Sequence, residues 1–165
     1  MTDIMVGIAL PRPDVLDALL DLIRGGLTSL ATVFTNAGAA VLNNRVIQAG
    51  TAPKLIAWGT GSTAAATTDT DLQTEASETL SGARVTGTES RVTTSVTNDT
   101  YQVAGTVTAA GTKTIAEMGL LDAQSSGATV PNAHGNLFLR SVFTGIAVNS
   151  GDSIAFTAGL KQVPN

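Results

Sequence analysis

Apolar and polar residues alternate along much of the chain after residue 84. The alternating runs cover residues 84–97, 100–109, 113–122, 137–148 and 153–163. A period of two places successive side chains on opposite faces of a strand, so each run predicts a β-strand. The breaks between runs hold the Asn, Asp, Gly and Ser residues that favour turns, and the break at residues 98–99 predicts a hairpin.

Two shorter runs, at residues 41–48 and 54–58, also predict strands. Residues 27–40 combine helical spacing of apolar residues with β-branched Thr and Val, and we expect an extended arm or a hairpin there. About six or seven strands after residue 41, separated by turns, are typical of a sandwich or barrel. The predicted fold class is mainly β: an antiparallel β-sandwich or small barrel, jelly-roll-like, with an N-terminal arm.

The N-terminal arm is predicted to contain one short amphipathic helix, at residues 14–24. Asp14 can cap its start, and the two glycines that follow the segment can end it. A helix of this length is marginal in water, so its apolar stripe needs a surface to dock on. We divide the chain into an arm, residues 1–40, and a β-domain, residues 41–165. The residues expected at an interface are Ile4, Val6, Ile8, Leu10, Val15, Leu16, Leu19, Leu20 and Ile23.

The low charge content indicates that the protein assembles with other subunits. Only 13% of the residues are charged, about half the usual share, which indicates a surface partly covered by neighbours; a small Thr-coated monomer is the alternative. The net charge of −4 argues against nucleic-acid binding, which needs a basic face. We also expect no membrane association, because the apolar stretch at residues 15–23 contains two aspartates.

Candidate metal and catalytic groups are few. The chain has no cysteine, which excludes disulfides and thiolate metal sites. Asp69, Asp71 and Glu75 lack the glycine and the spacing of a calcium loop, and helix-capping carboxylates are the simpler interpretation. His134 lies in a predicted loop without a nucleophile elbow, so we interpret it as a surface histidine. We expect no metal site.

Two other patterns resemble parts of enzyme signatures. Gly59-Thr60-Gly61 lacks the third glycine of a dinucleotide fingerprint, and a turn after a strand explains it. Glu75, Glu78 and Glu89 could supply a glycosidase pair, but such pairs work in aromatic-lined clefts and this chain is poor in aromatic residues. We therefore expect no catalytic residues, no cofactor and no enzymatic activity.

Three further features concern structure. Trp58 in an apolar run is expected in the core, with an interface anchor as the alternative. Asn98-Asp99-Thr100 matches a glycosylation sequon but is most simply the hairpin turn. Glu117 and Arg140 lie inside apolar alternating runs, and they are either an ion pair across neighbouring strands or two ordinary solvent-facing residues.

A resemblance to known proteins rests on three segments. The first segment is Trp58-Gly59-Thr60-Gly61-Ser62-Thr63, with Thr68-Asp69-Thr70-Asp71-Leu72 and Glu75 after it. The second segment is Ile115-Ala116-Glu117-Met118-Gly119-Leu120-Leu121-Asp122, with Leu137-Phe138-Leu139-Arg140 and Phe143 after it. The third segment is Gly151-Asp152-Ser153-Ile154. In this pattern of strands and turns, residues 55–163 resemble small virion structural proteins of tailed bacteriophages. Those proteins include capsid decoration (cement) proteins and head or tail fibre modules.

The resemblance implies a function in the virion. A decoration protein made in the host cytoplasm would bind the major capsid protein on the outer surface of the head, as a homo-oligomer and specifically a trimer. In that arrangement residues 1–10 would add an edge strand to a neighbour, and the helix at residues 14–24 would bury its leucines. The alternatives are a tail or head fibre or baseplate module for host attachment and a virion-associated hydrolase.

Overall fold

The computed structural model describes residues 2–9, 31–76, 84–123 and 135–162, with the backbone alone for residues 2–9. These residues form nine strands and one helix. The strands are β1 (Thr2–Ala9), β2 (Ala31–Phe34), β3 (Leu55–Gly59), β4 (Val85–Thr86), β5 (Thr88–Val92), β6 (Thr100–Thr108), β7 (Lys113–Leu121), β8 (Leu137–Val148) and β9 (Ser153–Gln162). The helix is α1 (Asn36–Val46).

The strands make two antiparallel sheets. Sheet A has the order β1-β9-β6-β5, and sheet B has the order β2-β8-β7-β3-β4. The predicted mainly β, antiparallel class is confirmed. The hairpin predicted at residues 98–99 also forms, because β5 and β6 pair from Thr88–Ala104 to Val92–Thr100.

The main core lies between the two sheets. Alternate residues of β3, β6, β7, β8 and β9 face it, as the period of two requires. The largest members of this core are Ile56, Trp58, Ile115, Met118, Leu120, Phe138, Leu139, Ile154 and Phe156. Trp58 is fully buried, so the core interpretation of this residue is correct.

One side of the sandwich is closed by a strand that changes sheet. Val85 and Thr86 of β4 pair with β3 in sheet B, and two residues after Thr86 the chain enters β5 in sheet A. Gly87 makes the corner, and a Cβ at this position would collide with the side chain of Val103. The absence of a side chain therefore lets the two sheet edges meet here.

Helix α1 corrects two expectations. Residues 41–48 were predicted as a strand and residues 27–40 as an arm or hairpin, but residues 36–46 are helical. The helix begins because the Thr35 side chain accepts a hydrogen bond from the Gly38 amide at 2.9 Å and its hydroxyl donates to the Leu137 carbonyl. Gly38 and Val41 are the buried residues of the helix. Their tertiary contacts, together with the Thr35 cap, override the strand propensity of its two valines.

The N-terminal arm is described only in part. We expected residues 1–10 to add a strand to a neighbouring subunit, but β1 pairs with β9 of the same chain, from Thr2–Gln162 to Ala9–Ala155. Strand β2 pairs with β8 in the other sheet. The predicted helix at residues 14–24 lies outside the described residues. The division after residue 40 stays a prediction, and it falls within α1.

Substituting Gly38 should displace helix α1. A Cβ at this position would collide with the carbonyl oxygen of Phe138, so Gly38→Ala should lower the free energy of unfolding by about 1–3 kcal/mol, as overpacking does. Urea denaturation measures the change. Gly111→Ala is the matched control, because a Cβ there meets nothing within 4 Å. Equal stability of the two variants would contradict this account of the contact.

Candidate functional site

A buried carboxylate organises the outer face of sheet B. Glu117 lies in β7 with its side chain 0% exposed, and Arg140 of β8 is 2% exposed and forms an ion pair with it at 2.8 Å. Both the Arg140 Nε and a terminal nitrogen donate to Glu117 Oε2. The ion pair that the sequence suggested across neighbouring strands is therefore present, and the solvent-facing interpretation is wrong.

The same carboxylate holds residues 60–76, which we call the covering loop. Glu117 Oε1 accepts the Gly61 amide at 3.1 Å and the Thr74 amide at 2.7 Å, and Oε2 accepts the Gln73 amide at 2.9 Å. A Cβ on Gly61 would lie 2.5 Å from Glu117 Oε1. Backbone of the loop thus approaches the carboxylate closely because glycine leaves room for it.

Arg140 extends the network to the residues between these two ends of the loop. It donates to Asp69 Oδ2 at 2.8 Å and to the Thr63 carbonyl at 3.2 Å. Burial alone would lower the pKa of Arg140, but hydrogen bonds and charge attraction from Asp69 and Glu117 raise it above its ordinary value. The guanidinium is therefore a permanent positive charge that ties the covering loop to the sheet.

An apolar contact and a second ion pair complete the attachment. Leu72 packs in a small cluster on the outer face of sheet B with Ala57, Leu121 and Leu137. Arg84 donates to both carboxylate oxygens of Glu75 at 2.8 Å. Fork-shaped pairs of this kind fix geometry as well as charge.

The carboxylates considered for calcium or catalysis have other partners here. Asp69 and Glu75 pair with Arg140 and Arg84. Residues 67–68 and 73–74 form turns and no helix begins between residues 60 and 76, so the helix-capping interpretation of these carboxylates is wrong. Within the four described ranges, no three His, Cys, Asp or Glu side chains form a group able to hold a metal ion. Glu78 and His134 lie outside those ranges.

A pocket opens where helix α1 meets the end of the sandwich. Its volume is about 250 Å³, and its wall is mostly apolar. The wall-forming apolar residues are Val41, Leu42, Ala52, Pro53, Phe138 and Leu160. The exposed residues Arg45, Glu89 and Gln162 also line it. A largely apolar concavity with a few polar groups is the usual form of a binding site.

Tyr101 fixes the polar side of this pocket. Its hydroxyl lies 3.0 Å from the Pro53 carbonyl and 3.0 Å from Glu89 Oε1, and it can donate to either oxygen. Burial and the neighbouring Glu89 carboxylate raise the pKa of Tyr101, while the charge of Arg45 opposes them. Tyr101 is consequently a neutral donor across the physiological range, and it connects the loop before β3 to β5.

The end of helix α1 beside this pocket exposes two apolar side chains. Val46 is 75% exposed and Ile47 is 73% exposed, directly after Arg45, which lines the pocket. Sequence analysis missed both the pocket and this helix end, because residues 41–48 were interpreted as a strand. The apolar pair in a polar context was the available signal.

Asp99 shapes the hairpin turn between β5 and β6. Its carboxylate accepts the amides of Thr94, Ser95 and Val96, at 2.8 to 2.9 Å. Burial would raise the pKa of Asp99, but these amides and the Ser95 hydroxyl outweigh it and hold the pKa far below its ordinary value. The sequon residues are therefore this turn, with Asn98 in the left-handed region at φ 59°.

The interface residues predicted in the arm are only partly placed. Ile4, Val6 and Ile8 belong to β1, where they lie opposite Leu160, Ala158 and Phe156 of β9. The remaining predicted residues, Leu10, Val15, Leu16, Leu19, Leu20 and Ile23, lie outside the described residues. Their part in an interface stays a prediction.

Replacing Glu117 should loosen the covering loop. Glu117→Gln leaves Arg140 without its buried partner and turns an amide NH2 towards backbone donors. Breaking a buried pair costs about 3–5 kcal/mol, and because Asp69 still contacts Arg140 we expect the lower end of that range. Urea denaturation measures stability, and limited proteolysis within residues 60–76 measures loosening.

The control for this change is Asp69→Asn, which removes the more exposed partner of Arg140. The Asp69 side chain is 23% exposed, so its loss should cost about 1 kcal/mol or less. If Glu117→Gln were no more destabilising than Asp69→Asn, the carboxylate would not be what holds the loop.

The Asp99 turn should make stability depend on acid. A carboxylate whose pKa is lowered in the folded state stabilises the fold above its unfolded pKa of about 3.9. That contribution is lost as the pH falls below this value towards the folded pKa. Asp99→Asn should therefore be less stable than wild type at pH 7, and the difference should shrink between about pH 4 and pH 2. Urea denaturation across this pH range measures the stability of both proteins. If the two stabilities fell in parallel with pH, Asp99 would not be the source of the acid dependence.

Comparisons with known proteins give no relative: no family model, curated protein or solved structure matches the chain. Among the described residues, no helix is long and apolar enough to span a bilayer.

Proposed function

We propose that this chain is a structural protein of a tailed-bacteriophage virion, a capsid decoration protein. It would bind the major capsid protein on the outer surface of the head and stabilise contacts between capsid subunits. The bound form would be a homo-oligomer, a trimer by the resemblance. The low charge content, 13% of residues, suits a protein that covers part of its surface with neighbours.

One observation carries the proposal. The segments that resemble phage virion proteins are far apart in sequence, yet they supply one buried network. Gly61 lies in the first segment and Glu117 in the second, and they are joined by a hydrogen bond across 56 positions. Arg140, which follows the second segment, pairs with Asp69 of the first across 71 positions. The resemblance thus lies in residues that act together as one structural unit of this chain, and the proposal extends that likeness to function.

The decoration function needs affinity for a shell without catalytic chemistry. Burying about four leucine-class side chains of the arm would contribute about 6–12 kcal/mol before ordering costs. Repeated contacts on a shell add avidity to each single contact. The mainly β framework would hold its outer surface at fixed positions, because the covering loop is held by the Arg84–Glu75 pair and by the amides that donate to Glu117.

Co-sedimentation tests the proposal. Purified protein is mixed with expanded phage capsids stripped of accessory proteins and, separately, with host cells. Saturable binding to capsids without binding to cells is expected for a decoration protein. Binding to cells alone would reject decoration and favour the fibre or baseplate module.

The proposed contact between the arm and the capsid can be tested by substituting two leucines of the arm. Leu19→Asp with Leu20→Asp should abolish capsid binding, because two charges would enter the docking face. The matched control is Asp17→Ser with Asp21→Ser, because these two residues are four apart and share the face of the predicted helix opposite its apolar stripe. Circular dichroism should show both variants folded. Undiminished capsid binding by the leucine variant would remove the arm from the interface.

A further inference from the structure

We propose that the pocket beside helix α1 binds a small amphipathic carboxylate, an acid whose apolar body has about eight carbon atoms. The apolar body would fill the pocket, and the carboxylate would face the guanidinium of Arg45 at its rim. This site goes beyond the proposed function, and its test needs neither capsids nor association of the chain. The pocket's volume, its fixed wall and the charges around its rim all favour this ligand.

The pocket is large enough for such a body. Its volume is about 250 Å³, whereas an apolar cavity of about 150 Å³ accepts benzene. An aliphatic or aromatic body of about eight to ten carbons therefore fits in the same proportion. Val41, Leu42 and Leu160 line the pocket, and the transfer of an apolar body from water to such a surface is favourable.

The wall of the pocket is held in place by contacts within the chain. Phe138, which is buried, meets the ring of Tyr101 edge to face, with the ring centroids 6.4 Å apart. The Tyr101 hydroxyl lies 3.0 Å from the Pro53 carbonyl, and all three residues line the pocket. A wall fixed in this way needs little rearrangement to receive a ligand, which lowers the entropic cost of binding.

The carboxylate that lines the pocket already has partners. Glu89 lies 3.4 Å from the Lys54 ammonium and 3.0 Å from the Tyr101 hydroxyl. A ligand cation would have to compete with Lys54 for this carboxylate. An amine is therefore a poorer occupant than an acid.

The guanidinium that lines the pocket has further donors available. Arg45 is exposed, and one of its terminal nitrogens donates to the Gly50 carbonyl at 2.8 Å. A guanidinium carries more N–H donors than this one bond uses, so the others can pair with a carboxylate. The charge of Arg45 also opposes the rise in the pKa of Tyr101, which indicates that the guanidinium lies within electrostatic reach of the polar side of the pocket.

Two more cations lie next to the rim, so the local charge is positive. Lys54 pairs with Glu89, and Arg91 lies opposite Tyr101 across the β5–β6 pair, where directly opposed side chains share a face. Arg45, Lys54 and Arg91 thus stand against one carboxylate among the described residues that line the pocket, Glu89. A positive rim in a chain of net charge −4 favours an anion by charge complementarity.

Isothermal titration calorimetry with three probes of equal chain length tests the ligand class. Sodium octanoate should bind saturably, with a dissociation constant below about 1 mM. Octanol, which has the same chain and no charge, should bind about 5-fold more weakly, as an exposed ion pair allows, and octylamine should bind more weakly still. The preference for octanoate over octanol should shrink in about 1 M salt, because salt screens the rim charges.

Two results of the calorimetry would overturn the proposal. Octanol or octylamine binding as tightly as octanoate would show that the rim does not select a carboxylate. Uptake of octanoate without saturation would show that no defined site exists.

Substitutions locate the site on the chain. Arg45→Gln should weaken octanoate binding about 5-fold and leave octanol binding unchanged, because it removes the charge and keeps a polar side chain. Lys113→Gln is the matched control: it removes the same charge at the start of β7, opposite Val148 and outside the pocket lining, and should bind octanoate like wild type. Ala52→Phe should abolish binding of both probes, because Ala52 lines the pocket and the larger ring takes up its volume.

Thermal denaturation confirms that each variant is folded. Leu42→Asn is a second variant of the wall, and it should weaken both probes about 5-fold or more, because it places an amide against the apolar chain. If Lys113→Gln weakened octanoate as much as Arg45→Gln, the ligand would be responding to net charge and the site would be rejected. Unchanged octanoate binding by folded Ala52→Phe or Leu42→Asn would equally reject the pocket as the site.

Discussion

The buried Glu117–Arg140 pair is the constraint on which the outer half of sheet B depends. A carboxylate that is 0% exposed is tolerable only when its oxygens are fully partnered. Strand β8 supplies one partner, the guanidinium of Arg140, and the rest must come from backbone amides. The covering loop supplies three of them, so its path is fixed by the needs of one side chain.

This arrangement specifies a conformation more than it adds stability. Apolar residues of similar volume often serve as well as a buried pair for stability, but they would not dictate where a loop lies. Here the network joins residues 61, 69, 73 and 74 to two neighbouring strands, and Leu72 is pressed onto the sheet between them. A stretch rich in Gly, Ser, Thr and Ala thereby becomes a defined surface.

The strands were predictable because their pattern is local. Alternation marks β6 and β9 directly, since Val103, Val107, Ile154 and Phe156 face the core at every second position. In β7 a bulge lies between Ile115 and Glu117, so that Ile115 faces the core while Glu117 faces the covering loop, and no local pattern announces such a change. The order of residues 60–76 was not predictable from local signals either, because the hydrogen bonds that hold it to the sheet reach partners 43 to 77 positions away.

Helix α1 shows why a failed prediction can be informative. Its β-branched residues favour a strand, and the helix forms because Thr35 caps it and Gly38 fits closely against Phe138. Those contacts explain the first half of the helix and leave Val46 and Ile47 unexplained, since neither is buried and neither favours helix. Residues that oppose both local propensity and solubility are expected where a surface serves binding. Val46 and Ile47, at the C-terminal end of α1, meet both conditions, and packing within the chain does not account for them.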